Sequence, residues 1–240
     1  MNVPAADKIR RIGLIGDIHC EDQLLETALR FLDEARVELV CAVGDIVDGP
    51  GNANRAIELL VRHNVMTVLG NHERWLFAGE MRGLPDANSR FDLDAASWEY
   101  LPDLPARRTL DTARGRALLC HGLGDDDMAG IWPDETPQQI RENLPLWRLV
   151  HSRRYEFILN GHTHARMVRT FDHMTVINAG TLYRKHDPCF CLVDFEAAFV
   201  QFYTVGFDER VATAERYHLP LYSRPLSPED PPPPTRGTET

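Results

Sequence analysis

Five short clusters of oxygen- and nitrogen-bearing side chains punctuate the chain: Gly16-Asp17-Ile18-His19, Gly44-Asp45-Ile46-Val47-Asp48, Gly70-Asn71-His72-Glu73, Cys120-His121-Gly122 and Gly161-His162-Thr163-His164. The last of these suggests the chemistry. In an extended segment residues i and i+2 project to one side, so His162 and His164 are expected to aim two imidazoles at neighbouring points, as a pair of metal ions would require. Asp17, His19, Asp45, Asn71 and His121 supply further oxygen and nitrogen donors upstream. Mixed carboxylate, amide and imidazole donors without thiolate suit Mn, Fe, Co, Ni or Zn in an open site rather than a closed structural zinc.

The elements that must carry these clusters can be read from the apolar spacing. Ile9 to Ile15 is an apolar run ending in Gly16-Asp17, and Leu25, Ala28, Leu29 and Leu32 then mark a helical face. Glu38 to Val43 is a second strand-length run ending in Gly-Asp. Ala53, Ile57, Leu60 and Val61 give a second helix, and Val65 to Leu69 leads into Gly70-Asn71-His72. Alternating strands and helices predict a parallel sheet with crossover helices, in which polar residues just past the strands' carboxyl ends line the ligand crevice. Asp17, His19, Asp45, Asn71 and His72 all fall there.

Residues 74–105 read as a partly helical insertion, with Trp75, Phe77 and Trp98 packing it, and Arg107 to Leu119 as a hairpin around Arg114-Gly115 that delivers His121. Asp125, Asp126 and Asp127 read as a solvated loop. Thr136-Pro137 is a helix start, and Pro145 is expected to kink or end the helical segment there. Tyr155 to Leu159 is a strand opening into the 161–164 cluster. Met167 to Phe171, Thr175 to Asn178, Cys189 to Phe195 and Phe199 to Val205 are expected to form a second, mixed set of strands. The expected architecture is α/β: two mixed sheets packed face to face and flanked by helices, one domain over 1–222, then a Pro-rich tail over 223–240 to which no fold is assigned.

Composition removes several function classes. With 26 Lys+Arg against 36 Asp+Glu the formal charge is -10, which argues against a protein that grips nucleic-acid backbones in bulk. No apolar run is long enough for a secretion signal or a membrane span, so a cytoplasmic protein without a membrane partner is expected. The cysteines Cys20, Cys41, Cys120, Cys189 and Cys191 fall mostly in apolar runs and read as buried thiols. None begins a Cys-x5-Arg phosphate loop.

The ordered motifs from Asp17 to His164, with Asn178-Ala179-Gly180-Thr181 in place of an Asn-Pro-Gly-Ser turn, resemble the calcineurin-like metallophosphoesterases, in particular their small bacterial members. The resemblance implies a four-layer αββα fold and two divalent ions, Mn or Fe in first place, with Zn, Ni or Co accepted by the same donors. It implies Asp17, His19, Asp45 and His164 on one ion and Asp45, Asn71, His121 and His162 on the other, Asp45 bridging. It also implies hydrolysis of a phosphate ester by a metal-bridging hydroxide, with His72 protonating the leaving group and Asp48 paired to His72. A small phosphorylated substrate of nucleotide type is expected. The alternatives are a protein Ser/Thr phosphatase-like activity, or a non-catalytic scaffold like the retromer subunit that resembles the family but lacks the catalytic histidine; retention of His72 argues against the scaffold. The sequence departs from the protein phosphatases at Asp48-Gly49-Pro50, where they have Asp-Arg-Gly, so the phosphate-gripping cation must come from elsewhere. Arg74, Arg184 and His186 are the candidates, while Glu73 reads as a helix-start charge.

Overall fold

Side-chain alternation along the strands separates three cores in the computed structural model, which describes residues 8–220. On β5 (Gly115–Cys120), Ala117 and Leu119 enter one apolar cluster while Leu118 and Cys120 enter another. On β6 (Phe157–Asn160), Phe157 and Leu159 divide from Ile158 in the same way. This period of two means that both faces of the sheet are covered. The shared cluster also takes Ile12 and Leu14 from β1 (Arg11–Ile15) and Cys41 from β2 (Leu39–Ala42), so it lies between two sheets. The outer face of the first sheet is covered by α1 (Asp22–Glu34) and α2 (Ala53–Arg62), that of the second by α5 (Pro137–Glu142) and α6 (Leu144–Ser152). The architecture is thus α/β, two mixed sheets between helical layers.

The first sheet runs, from one edge, β11 (Val211–His218), β10 (Phe199–Val205), β9 (Cys189–Asp194), β1, β2 and β3, with β3 only Met66–Thr67. β1, β2 and β3 are parallel, as the strand–helix alternation predicts. The second runs β4 (Arg107–Thr112), β5, β6, β8 (Met174–Asn178) and β7 (Met167–Phe171), where β4 and β5 form the expected hairpin. β7 pairs antiparallel with β8, which lies parallel to β6.

One expectation is corrected. β9 and β10 do not join the second set of strands; β9 adds antiparallel to β1 and extends the first sheet. Every residue of β9 is buried, so its apolar run carried no sign of which sheet it would enter. The helical segment is interrupted at Asn143, as expected near Pro145, which sits in the first turn of α6 where its missing N–H costs nothing. β11, for which the sequence carries no strand signal, is a mostly exposed edge strand with Arg216 and Glu215, too polar to stand out by hydrophobic pattern. The insertion contains α3 (Asn71–Ala78) at its entrance and α4 (Ala95–Tyr100), and the expected tail lies outside the described residues. Among the described residues no helix is long and apolar enough to cross a membrane.

Candidate metal centre

The loops that follow β1 and β2 are stitched together before any side chain reaches the centre. The Ile18 and His19 amides both donate to the Asp45 carbonyl, at 2.9 and 2.7 Å, and Cys20 N–H donates to Ile46. These tight loops force left-handed backbone at His19 (φ 46°), Cys20 (59°), Asp45 (45°) and Asp48 (63°), and again at His162 (68°) and His164 (57°). Non-glycine residues in that region cost on the order of 1 kcal/mol or more each, and such strain concentrates at functional sites. His162 and His164 are therefore not the extended pair expected from the sequence. They lie in a turn after β6 and face different partners.

Glu73 proves to be the hub of these loops. It is fully buried in the first turn of α3. Its carboxylate accepts the amides of Asp45 (3.0 Å), Ile46 (2.7 Å), Val47 (3.1 Å) and Gly70 (2.9 Å). A carboxamide of the same size offers one acceptor oxygen and turns two N–H groups toward donors. Glu73→Gln is accordingly expected to lower the unfolding free energy by about 2–5 kcal/mol, since each buried donor left unpaired costs roughly 1–3 kcal/mol. Urea titration read by circular dichroism measures this, and a loss below about 0.5 kcal/mol, within the range of neutral surface substitutions, would show that the loops hold without it.

Around this scaffold the structure gathers the seven predicted donors. Single ligand atoms of Asp17, His19, Asp45 and His164 lie within 4.8 Å of one another. His121 Nε2 stands 2.8 Å from Asn71 Oδ1 and 3.3 Å from Asp45 Oδ2, and His162 Nδ1 is 3.1 Å from the same Asn71 oxygen. His19 Nε2 faces His164 Nε2 at 3.1 Å and Asp45 Oδ2 at 3.9 Å. Asp17 receives the His162 amide on both oxygens at 3.0 Å.

Tautomers show what the cluster lacks. His121 Nδ1 lies 2.8 Å from the Val43 carbonyl and His19 Nδ1 2.9 Å from the Asp48 carbonyl, so in each ring Nδ1 carries the hydrogen. In the neutral rings Nε2 then presents a lone pair inward, toward oxygens that also only accept. The outer nitrogen of His164 is likewise engaged, by His186 Nδ1 at 2.7 Å, and the His162 ring by the Met128 carbonyl. Ring nitrogens and carboxylate oxygens drawn together in this way are the arrangement a cation completes, with each outer nitrogen oriented by a second partner.

The electrostatics agree. Burial pulls His19 and His162 below their ordinary range, and His164 down to about 3 with help from His19, so these rings favour the neutral form that ligates metal. Burial pushes Asp17 up to about 7. Burial also opposes ionisation of Asp45, but His121, His72 and His19 outweigh it and hold that carboxyl well below the usual carboxylate range. Burial disfavours a charged His121, yet Asp45 and Asp17 drive it up to about 10. These opposed shifts mark two acids and a histidine crowded into a dry pocket, the setting in which a divalent cation would serve the same carboxylates. The donor set fits such ions.

Beside this cluster His72 Nδ1 lies 2.8 Å from Asp48 Oδ2, while His72 Nε2 turns toward Asp45 Oδ2 at 3.9 Å. Burial lowers the His72 pKa, but the Asp48 hydrogen bond and the Asp45 charge raise it further, so the net shift is upward. Asp48 is in turn held by Arg82, which gave no sequence signal because residues 79–94 carry no periodicity. Arg74 pairs with Asp127 through two bonds of 2.7 and 2.9 Å, and Arg184 with the buried Glu21 through Nε and Nη2 at 2.8 Å each. A mainly apolar cavity of about 630 Å³ opens against His121 and Gly70, walled by Leu69, Phe77, Ala78 and Ala106, with Arg74 and Asp127 also on its lining.

Comparison with known proteins places these features. Residues 11–198 match a family model described as the calcineurin-like phosphoesterase superfamily domain. The structure is similar to that of a metallophosphoesterase from Sphaerobacter thermophilus, at 22% identity over 83% of this chain and 89% of that one, with a TM-score of 0.61. It is similar to a hypothetical protein from Pyrococcus horikoshii, at 21% identity over 80% and 86% of the two chains, with a TM-score of 0.64. It is also similar to vacuolar protein sorting 29 from Cryptosporidium parvum, at 18% identity over 88% of this chain and 100% of that one, with a TM-score of 0.54. At these identities the structural likenesses establish the fold, which enzymes and a sorting protein share.

Proposed function

The chain belongs to the calcineurin-like phosphoesterase superfamily, and from that premise we propose that it hydrolyses phosphate esters of small, nucleotide-type molecules with the help of two divalent ions. The observation that carries this reading is the convergence of ring nitrogens and carboxylate oxygens described above, beside a histidine whose Nδ1 is held at 2.8 Å by the Asp48 carboxylate. Asp17, His19, Asp45 and His164 would hold one ion and Asp45, Asn71, His121 and His162 the other. The ions would supply charge neutralisation and an activated water. Manganese or iron is favoured, with zinc, nickel or cobalt compatible with the same donors.

This chain's own residues then do the rest. The tautomers fixed at His19 and His121 keep their Nε2 lone pairs aimed inward. His72, whose Nδ1–H donates to Asp48, carries a second proton on Nε2 when imidazolium, and that is the proton a departing alkoxide needs. The apolar cavity beside His121 suits a base or other aromatic group on the ester, and so supports a small substrate over a phosphoprotein. Arg74 lines that cavity and could meet phosphate only by loosening its hold on Asp127. Arg184 would have to leave Glu21 to do so. With a formal charge of -10, long polyanions are poor partners. The buried, unpaired thiols fit a reducing compartment, so the cytoplasm is the proposed location.

The test is metal-dependent turnover. Purified protein reconstituted singly with Mn, Fe, Ni, Co or Zn is expected to hydrolyse bis(4-nitrophenyl) phosphate or 4-nitrophenyl phosphate, and to prefer nucleotides to phosphopeptides in a panel. Absence of turnover with every ion would favour the non-catalytic scaffold on the same fold.

A further inference from the structure

Asp48 makes more contacts than an ordinary partner of a histidine. Its side chain is 1% exposed, and each carboxylate oxygen receives two donors. Oδ2 accepts from His72 Nδ1 and Arg82 Nη2, both at 2.8 Å; Oδ1 accepts from Arg82 Nη1 at 2.8 Å and the Asn88 amide at 2.7 Å. The loop closes on itself, because the Asp48 amide donates to Asn88 Oδ1 at 2.8 Å and Arg82 Nη1 also donates to the Asn88 carbonyl at 2.7 Å. Arg82 Nε is occupied by the Glu80 carbonyl at 2.6 Å.

We propose that Arg82 is a positioning residue for the general acid: its two-pronged grip on Asp48 fixes the carboxylate against the His72 ring, making the 79–94 segment part of the active centre. The inference rests on the reading of His72 given above. Two facts separate it from the alternatives. As a phosphate clamp Arg82 would need at least two free N–H groups on one edge, yet Nε–H, both Nη1 hydrogens and one of the two on Nη2 are already directed at protein oxygens, which leaves a single Nη2–H. As a mere fastener of the insertion it would be one anchor among many, yet no residue from Gly79 to Asp92 is buried, and Met81 and Phe91 are 51% and 96% exposed. The segment is held by polar contacts, and the largest group of them converges on Asp48. The cation absent after Asp48, where Gly49-Pro50 stands, is thus replaced by one arriving from the insertion. It meets the acid's partner and leaves phosphate to other groups. A planar fork fixes two oxygens at once, which a lysine ammonium does not.

The experiment compares Arg82→Met and Arg82→Lys with wild type on methyl 4-nitrophenyl phosphate and methyl phenyl phosphate, which differ in how much their leaving group needs a proton. The proposal predicts that Arg82→Met loses about tenfold to a hundredfold in kcat on the phenyl ester, part of the roughly 10²–10⁴ that a general acid supplies. On the nitrophenyl ester the loss is expected to be only a few-fold, with KM and metal content unchanged and partial recovery in Arg82→Lys. In zinc-loaded protein labelled with ¹⁵N-histidine, the hydrogen-bonded His72 Nδ1 proton, assigned by its absence in His72→Ala, is expected to be sharp in wild type and lost or exchange-broadened in Arg82→Met. An unchanged His72 proton, or equal losses on both esters, would overturn the proposal; so would a rise in KM with kcat intact, which would mark Arg82 as a phosphate binder. If wild type turns over neither ester, the hydrolase reading fails while the histidine spectrum still decides whether Arg82 positions the ring.

Discussion

Replacing His72 by alanine is expected to reduce kcat by roughly 10²–10⁴, the span of general acid catalysis, while KM and metal content stay within a few-fold of wild type. His72 is set apart from the acceptor cluster by its partner. Its Nδ1 is tied to the Asp48 carboxylate at 2.8 Å; burial lowers its pKa, but that bond and the Asp45 charge shift it upward on balance. The effect should grow with the basicity of the leaving group, because a nitrophenolate departs without a proton and an alkoxide does not. Steady-state kinetics on both kinds of ester measure it. A uniform loss, independent of leaving group and accompanied by loss of metal, would instead make His72 a ligand.

An effect on both metal content and turnover is expected at Asp45. The residue is 1% exposed, and its carboxylate has His121 Nε2 at 3.3 Å, His19 Nε2 and His72 Nε2 each at 3.9 Å, and the His72 amide at 3.0 Å on its other oxygen. Asp45 thereby touches both halves of the cluster. Asp45→Asn keeps the shape and removes the charge, so the imidazoles lose the anion that balances a cation on either side. Metal content measured by plasma mass spectrometry is expected to fall below one ion per chain. The value of kcat/KM should fall by about 10³ or more, corresponding to several kcal/mol of lost charge stabilisation. An Asp45→Asn variant that retained two ions and near-normal turnover would remove Asp45 from its shared position.

How much of this was legible depended on where each residue's partners lie. The five clusters were visible because each occupies the loop at the carboxyl end of a strand, and the strands β1, β2, β5 and β6 announce themselves by short apolar runs. The pairing of His72 with Asp48 followed from family resemblance alone. The extended geometry expected for His162 and His164 fails because glycine-flanked loops adopt left-handed turns that a period-two argument does not describe. The destination of β9 was invisible because a strand buried on both faces has no polar side to orient it. Glu73 reads as a helix-start charge because its significance lies in burial and in four amides, three of them from a distant loop, none of which a neighbouring residue reveals. Arg82 and Asn88 sit in a stretch with neither apolar period nor motif, and only the folded chain brings them 34 and 40 residues back to Asp48.

The measurement that bears most directly on the whole account is an anomalous difference map from crystals of the manganese-loaded protein. Two peaks are predicted, one among Asp17, His19, Asp45 and His164 and one among Asp45, Asn71, His121 and His162, with the Asp45 carboxylate between them. A map with no peak beside Asp45, or with manganese bound only elsewhere on the molecule, would contradict it.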